Sequence, residues 1–499
     1  MNLIDRAVAN RSRAALISSA ATLTYGALLD TSQAAAARLL HDTNDLAEAR
    51  IAFLTPREPS FVAVLWAIWR AGGIAVPLCD SHASAEIDYV LRDADVSAVI
   101  VDPDSIDRIA PLASALGIPC INATELLAPN NVTHPLPLVA TDRRAMMIYT
   151  SGTTGKPKGV VTTHANLAAQ CSSLSEAWAW SRNDVIANVL PLHHVHGIVN
   201  VVLCTLWNGA SCVMMPRFDA AEMLALFAQG SLTLFMAVPT IYAKLIAAFE
   251  ALSEDRKAAV VLGCSRIRLM VSGSAALPAA TLERWHHVSG HVLLERYGMT
   301  EFGMALGNPL LGERRPGSVG LPLPGVEVRL IDNGASVPAS HPGEIEVRSP
   351  GIFLEYWRQP ETTASSFREG WFRTGDIAVL ERGYHRILGR SSVDIIKSGG
   401  FKLSALEIEE ALREHPKVRE CAIIGDDDPE WGERVCAVLV LHDGTSLSLA
   451  ELRAWAKDRL ASYKLPSRLM LLDELPRNAL GKVLKPELKQ RAADSHGSS

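Results

Sequence analysis

Ten consecutive residues, Thr150-Ser151-Gly152-Thr153-Thr154-Gly155-Lys156-Pro157-Lys158-Gly159, combine four hydroxyls, three glycines and two lysines. Glycine lets a backbone take positive φ and come close to a ligand. Successive N–H groups in such a turn form a nest for anionic oxygens. Hydroxyls add donors and lysines add positive charge, which together suit a chain of phosphates. A Walker A loop is the obvious alternative, but it needs four residues between its glycines and then Gly-Lys-Ser/Thr. Here two residues separate Gly152 from Gly155, and Pro157 follows Lys156. A second polar group, Pro191-Leu192-His193-His194-Val195-His196-Gly197, gathers three histidines. Their spacing matches no zinc pattern and no cysteine or carboxylate joins them, so a metal site is not the reading.

The loop resembles the phosphate loop of the adenylate-forming superfamily, which comprises acyl-CoA synthetases, adenylation domains of peptide synthetases and luciferases. The likeness continues through Tyr297-Gly298-Met299-Thr300-Glu301, Thr374-Gly375-Asp376, Gly389-Arg390, Gly399-Gly400 and Pro476-Arg477-Asn478 with Gly481-Lys482. These stations come in the family's order and at about its spacing, from about residue 20 to about residue 490.

The resemblance implies a carboxylate attacking the α-phosphate of ATP, then thioester formation on CoA. Carboxylate and triphosphate repel, so the site must supply fixed donors and positive charge. Thr150, Ser151, Gly152, Thr153, Thr154, Gly155, Lys156 and Lys158 are expected to hold the β- and γ-phosphates. Glu301 is expected to hold Mg²⁺, a hard cation suited to an oxygen ligand, and Thr300 to meet the α-phosphate. Gly273-Ser274-Ala275 matches the adenine-side turn, with Tyr297 and Gly298 nearby. Asp376 is expected on the ribose hydroxyls and Arg390 beside the ribose or phosphates. Lys482 matches the adenylation lysine, a compact ammonium for the developing α-phosphate charge. Gly399 and Gly400 are expected along the pantetheine tunnel. Arg390 and Gly399 are nine positions apart, where the common family pattern has about eight, so the hinge stays open among Ser392, Val393 and Asp394.

Arg296 speaks to the acid. Many acyl-CoA synthetases have a neutral residue before this Tyr-Gly pair, beside the acyl pocket. A guanidinium suits a second carboxylate through paired hydrogen bonds, and buried without a partner it costs several kcal/mol. Either substrate or a protein acid such as Glu295 must therefore meet it. His194 is expected to gate the pocket, His193 and His196 to offer donors, and Lys244 either to add charge or to be a solvated helix residue. The strings around these residues are similar to the malonyl-CoA synthetase branch of the family. The expected substrate is a small dicarboxylic acid, malonate, with methylmalonate left open. A medium-chain or aryl acid:CoA ligase and an adenylation enzyme serving a carrier protein are the alternatives.

These groups need a scaffold to hold them. Segments 98–101, 145–149, 211–215, 234–238 and 268–272 read as strands, and 220–228 and 239–252 as helices. Such alternation argues for layered, mostly parallel sheets. After Gly317 come shorter strands with Gly and Pro turns, 326–331 and 344–348, a β-rich part. The expected fold is α/β: a large N-terminal domain, 1–390, a hinge at 391–394 and a small mobile α+β domain, 395–499. In that tail, Ser404 with Glu407 and Ser448 with Glu451 read as capping boxes of two helices. Strands are expected at 421–425 and 435–441, a solvated loop at Asp426-Asp427-Asp428 and disorder over 494–499.

A chain of 499 residues can bury large cores. Its net charge of −6, with no long basic run, argues against a nucleic-acid partner. The eight cysteines are scattered without a CxxC pair, and read as buried apolar residues in a reducing cytoplasm. The N-terminus lacks the apolar core of a signal peptide. The most apolar stretch, 61–69, is too short to span a bilayer and reads as a buried helix ending at Gly72-Gly73.

Overall fold

The computed structural model describes residues 3–129, 134–150, 157–398, 401–429, 431–477 and 483–496. The fold is α/β, as the alternation predicts, and the chain divides into two compact units. One comprises Met1–Glu327 with Val347–Phe372, the other Val328–Glu346 with Arg373–Ser499.

Two sheets dominate the larger unit. In one, Ala14–Ile17, Ser211–Met214, Val185–Asn188, Leu234–Ala237, Leu269–Ser272 and Leu294–Met299 lie side by side in parallel. In the other, the parallel strands are Cys120–Asn122, Ala98–Val101, Arg50–Leu54, Ile74–Pro77 and Arg144–Thr150, closed by antiparallel Lys158–Thr163 and Glu355–Tyr356. Parallel strands covered on both faces read as unbroken apolar runs, which is why 98–101, 234–237 and 269–272 are buried throughout.

The apolar run at 61–69 is a helix, Pro59–Arg70, buried over its whole middle. Each large side chain there contributes about 1.5–3 kcal/mol by leaving water. Trp69 fixes the helix by donating from Nε1 to the Ala145 carbonyl at 2.7 Å, at the foot of the strand that leads into the phosphate loop.

In open α/β sheets, ligands bind outside the carboxyl ends of the strands. That is where the candidate residues fall. Arg144–Thr150 ends at the loop, Val185–Asn188 leads to the histidines, Leu269–Ser272 ends at Gly273-Ser274, and Leu294–Met299 ends at Thr300-Glu301.

The smaller unit holds antiparallel strands in which Trp371–Glu381 pairs with Tyr384–Arg390, setting Asp376 opposite Arg390. Its second sheet joins Val418–Asp428, Gly432–Leu441, Arg468–Leu471, Ile395–Ser398 and Phe401–Ser404. Helices Ala405–Arg413, Leu449–Ala456 and Lys485–His496 accompany it.

Several expectations are corrected here. Asp426, Asp427 and Asp428 belong to a strand rather than a solvated loop, because Arg468 pairs with Asp426 and Arg434 with Asp428. Ser448 and Glu451 form the full capping box, but Glu407 turns away to Lys464 at 2.5 Å, leaving Ser404 to cap alone. Residues 494–496 lie in a helix, and a further helix, Leu3–Val8, precedes the opening strand. Seven of the eight cysteines are buried, but Cys120 is exposed at an edge strand. Among the described residues, no helix is long and apolar enough to cross a membrane.

Candidate active site

Neighbouring parallel strands bring three segments together in the larger unit. Ser272 and Glu295 are register partners, so the turn after the first strand lies beside Arg296 on the second. Arg296 is buried, and its Nη2 donates to Ser274 Oγ at 3.2 Å while Nε has no partner. The same Ser274 oxygen sits 3.1 Å from His196 Nδ1. The cluster thus joins a residue expected on the adenine side with two expected on the acyl side, a link that spacing along the chain does not reveal.

Glu295 is not the partner of Arg296. Successive residues of a strand point to opposite faces, and the Glu295 carboxylate accepts instead from Gly317 N–H at 2.9 Å. Among the described residues no carboxylate pairs with Arg296, and burial alone brings its pKa down to about 9. A buried cation bonded to a hydroxyl, with an imidazole beyond that hydroxyl, is chemically able to receive an anion.

Backbone geometry makes room for it. A Cβ on Gly273 would stand 2.4 Å from the guanidinium carbon, so any side chain there would push Arg296 aside. Ser274 holds φ +68, a left-handed conformation that costs about 1–2 kcal/mol outside glycine and sets its hydroxyl where Arg296 and His196 meet.

The histidines belong to a π-helix, His196–Leu203, and to the turn before it. Such wide turns are rare and collect at functional sites. Burial lowers the pKa of His196 well below its ordinary value and that of His194 to about 4. Both are neutral donors or acceptors at pH 7. The rings of His193 and His194 lie 4.1 Å apart. Asn200, one turn further along the π-helix, is fully buried with both amide atoms unpartnered, and no sequence signal marked it. Lys244 is exposed on helix Pro239–Glu250, and Ala275 is exposed like Ser274 before it; neither Lys244 nor Ala275 enters the described contacts among Arg296, Ser274 and His196.

At the end of strand Leu294–Met299, Thr300 lines a small cavity with Gln170, Thr162 and Val199. Glu301 is buried, and its Oε1 accepts from the Tyr356 hydroxyl at 2.8 Å. Gly298 is another forced glycine, since a Cβ there would stand 2.0 Å from the Gly303 carbonyl. Tyr297 is buried beside Phe302.

Both flanks of the phosphate loop are pinned to helix Ser84–Asp93. Tyr149, before Thr150, donates to Asp93 at 2.6 Å, and Tyr89 donates to the Pro157 carbonyl at 2.8 Å. Thr150 and Lys158 are paired across the base of the loop. Ser151, Gly152, Thr153, Thr154, Gly155 and Lys156 lie outside the described residues, as do Gly399, Gly400 and Lys482.

In the smaller unit Asp376 is buried, and Arg390 Nε donates to its Oδ1 at 2.9 Å. Thr374 Oγ1 accepts from the Asp376 N–H at 3.0 Å, fixing the turn. Asp394, one of the three hinge candidates, is tied to Lys485 at 2.6 Å.

Residues 4–357 match the AMP-binding enzyme family, and 407–482 match the AMP-binding enzyme C-terminal domain. The chain belongs to the AMP-binding enzyme family. It is 46% identical to the mitochondrial malonate–CoA ligase of Mus musculus, over 97% of this chain and 89% of that protein. It is 41% identical to the malonate–CoA ligase of Arabidopsis thaliana, over 89% of this chain and 78% of that one. Among solved structures, ATP-bound MatB from Rhodopseudomonas palustris superposes with a TM-score of 0.90 at 35% identity, covering 99% of both chains. The arginine cluster and Glu301 fall within the first matched region, and the Asp376–Arg390 pair lies between the two.

Proposed function

We propose that this chain is an AMP-forming ligase that joins malonate to CoA through an acyl-adenylate. The observation that carries the substrate is Arg296, a buried cation that bonds the Ser274 hydroxyl and, among the described residues, pairs with no carboxylate. One carboxylate of malonate must attack phosphorus, so the other is left to satisfy the guanidinium. A monocarboxylic acid would leave that charge buried and unpaired, at a cost of several kcal/mol. The relatives whose names state malonate–CoA ligase activity support the same reading.

In the first half-reaction the 150–158 loop grips the β- and γ-phosphates and Thr300 meets the α-phosphate. A buried carboxylate would suit Mg²⁺, a hard cation that takes only one or two protein carboxylates. Glu301 is that ligand in this account, and the ion when bound supplies charge neutralisation. Asp376, held by Arg390, takes the ribose hydroxyls. Lys482 neutralises charge developing at the α-phosphate as pyrophosphate leaves. In the second half-reaction a thiol replaces AMP on the acyl carbon, with Gly399 and Gly400 giving the pantetheine arm room and a hinge within 391–394 letting domain 395–499 turn. The thiols favour a reducing compartment, which the cytoplasm supplies.

Pyrophosphate release with ATP and Mg²⁺, measured across malonate, methylmalonate, succinate, acetate, octanoate and benzoate with and without CoA, tests this. Turnover on malonate that needs CoA is expected. Turnover on octanoate or benzoate with malonate inert would instead establish a medium-chain or aryl acid ligase. Malonate-dependent release that CoA does not stimulate would point to a carrier-protein acceptor.

A further inference from the structure

Tyr356 occupies a junction that the reaction scheme above does not use. Its strand, Glu355–Tyr356, adds antiparallel to Lys158–Thr163, with Tyr356 opposite Val160 and the next residue's N–H bonded to the Gly159 carbonyl at 2.8 Å. The backbone of Tyr356 is therefore fixed to the strand that leaves the phosphate loop. Its side chain reaches the other sheet, where the hydroxyl donates to Glu301 Oε1 at 2.8 Å. Its ring carries the Lys158 ammonium 5.1 Å from the centroid. Phe353 packs against the other part of the ring at 4.7 Å, and Phe353 N–H bonds the Glu301 carbonyl at 2.6 Å. One side chain thus touches both the cationic and the anionic member of the proposed phosphate site, Lys158 on a strand of one sheet and Glu301 in the turn after a strand of the other.

We propose that Tyr356 is a positioning residue that aims the Glu301 carboxylate at the metal while its ring holds Lys158 over the phosphates. A glutamate carboxylate turns about its side-chain torsions, and a hydrogen bond accepted by one oxygen restricts where the other can point. The ring face attracts the ammonium without neutralising it, so Lys158 stays available to an anion. The inference rests on the proposed role of Glu301.

The test is equilibrium binding of ATP, with no acid or CoA present, in excess Mg²⁺ and in EDTA. Tyr356→Phe keeps the ring, and with it the contacts to Phe353 and Lys158, and removes only the hydroxyl. The Mg²⁺-dependent gain in ATP affinity is expected to fall about tenfold, the scale of one hydrogen bond to a charged group, while affinity in EDTA stays within about twofold. Glu301→Gln is expected to lose the whole gain. Full retention of the gain by Tyr356→Phe overturns the inference, as does equal weakening with and without metal. A wild-type enzyme with no Mg²⁺-dependent gain, or a gain kept by Glu301→Gln, overturns the assignment of Glu301 itself and the inference with it.

Discussion

Arg296 and Ser274 are bound to each other across two parallel strands, guanidinium to hydroxyl at 3.2 Å, with Ser274 in a left-handed turn. The strained turn keeps its hydroxyl on the cation. Ser274→Gly removes the hydroxyl and relieves the backbone, which glycine adopts freely. Stability should rise by about 1 kcal/mol while the KM for malonate increases several-fold. Thermal melting and steady-state kinetics on one preparation check both signs. An unchanged KM would mean that the contact does not orient Arg296.

Gly273→Ala acts on the same cation from the other side. The new Cβ meets the guanidinium at 2.4 Å, so Arg296 must move. A displacement of about 1 Å at a binding group can lower activity on the order of a hundredfold. Malonate turnover should fall on that scale, and by much more than ATP binding, because the new Cβ points at Arg296. Loss of ATP binding to the same degree would show general damage.

The buried histidines give the larger unit a pH dependence. Burial first, then neighbouring His82, holds the pKa of His194 down at about 4, and burial first, then His194, His82 and Arg57, pulls His193 lower still. A group whose folded pKa is depressed contributes stability above its ordinary value, near 6.5 for histidine, and loses it as pH falls toward the folded value. Each such histidine makes stability fall by up to about 1.4 kcal/mol per pH unit in that window. The melting midpoint should drop between pH 6.5 and 4.5, less steeply in His194→Gln. An identical slope in the variant would refute the assignment.

Lys485 bears on the smaller unit. It is buried and lies 2.6 Å from both Asp394 and Glu409. Burial alone would lower its pKa, but the two carboxylates more than offset this and raise it. Its contribution is therefore complete below the ordinary lysine pKa and lost only as pH rises through the raised value. Lys485→Met should destabilise this unit by about 3 kcal/mol, equally at pH 6 and pH 9. Hydrogen exchange in strand Val418–Asp428 is the readout, and protection unchanged from wild type would contradict the role.

The parallel strands and their carboxyl-end turns were legible because buried strands carry continuous apolar runs and the turns carry glycines. The cation was legible too, since Arg296 stands directly before Tyr297-Gly298, where the resemblance places the acyl pocket. Its surroundings were not. The contact of Ser274 with both Arg296 and His196 depends on strand order, and Glu301–Tyr356 joins residues 55 apart in sequence. A lone tyrosine in Glu355-Tyr356-Trp357 has no spacing that announces a partner. Asp426 to Asp428 misled for a related reason: three adjacent acids look solvated until Arg434 and Arg468 from neighbouring strands arrive.

The most direct measurement is kcat/KM for malonate and for butyrate, in the wild-type enzyme and in Arg296→Met. If Arg296 receives the second carboxylate, the substitution lowers the malonate value at least about a hundredfold, the scale of about 3 kcal/mol for a buried charge pair. It leaves butyrate unchanged or improved, and the protein melts no lower, because the removed charge had no carboxylate partner. Equal losses on both acids would contradict the account.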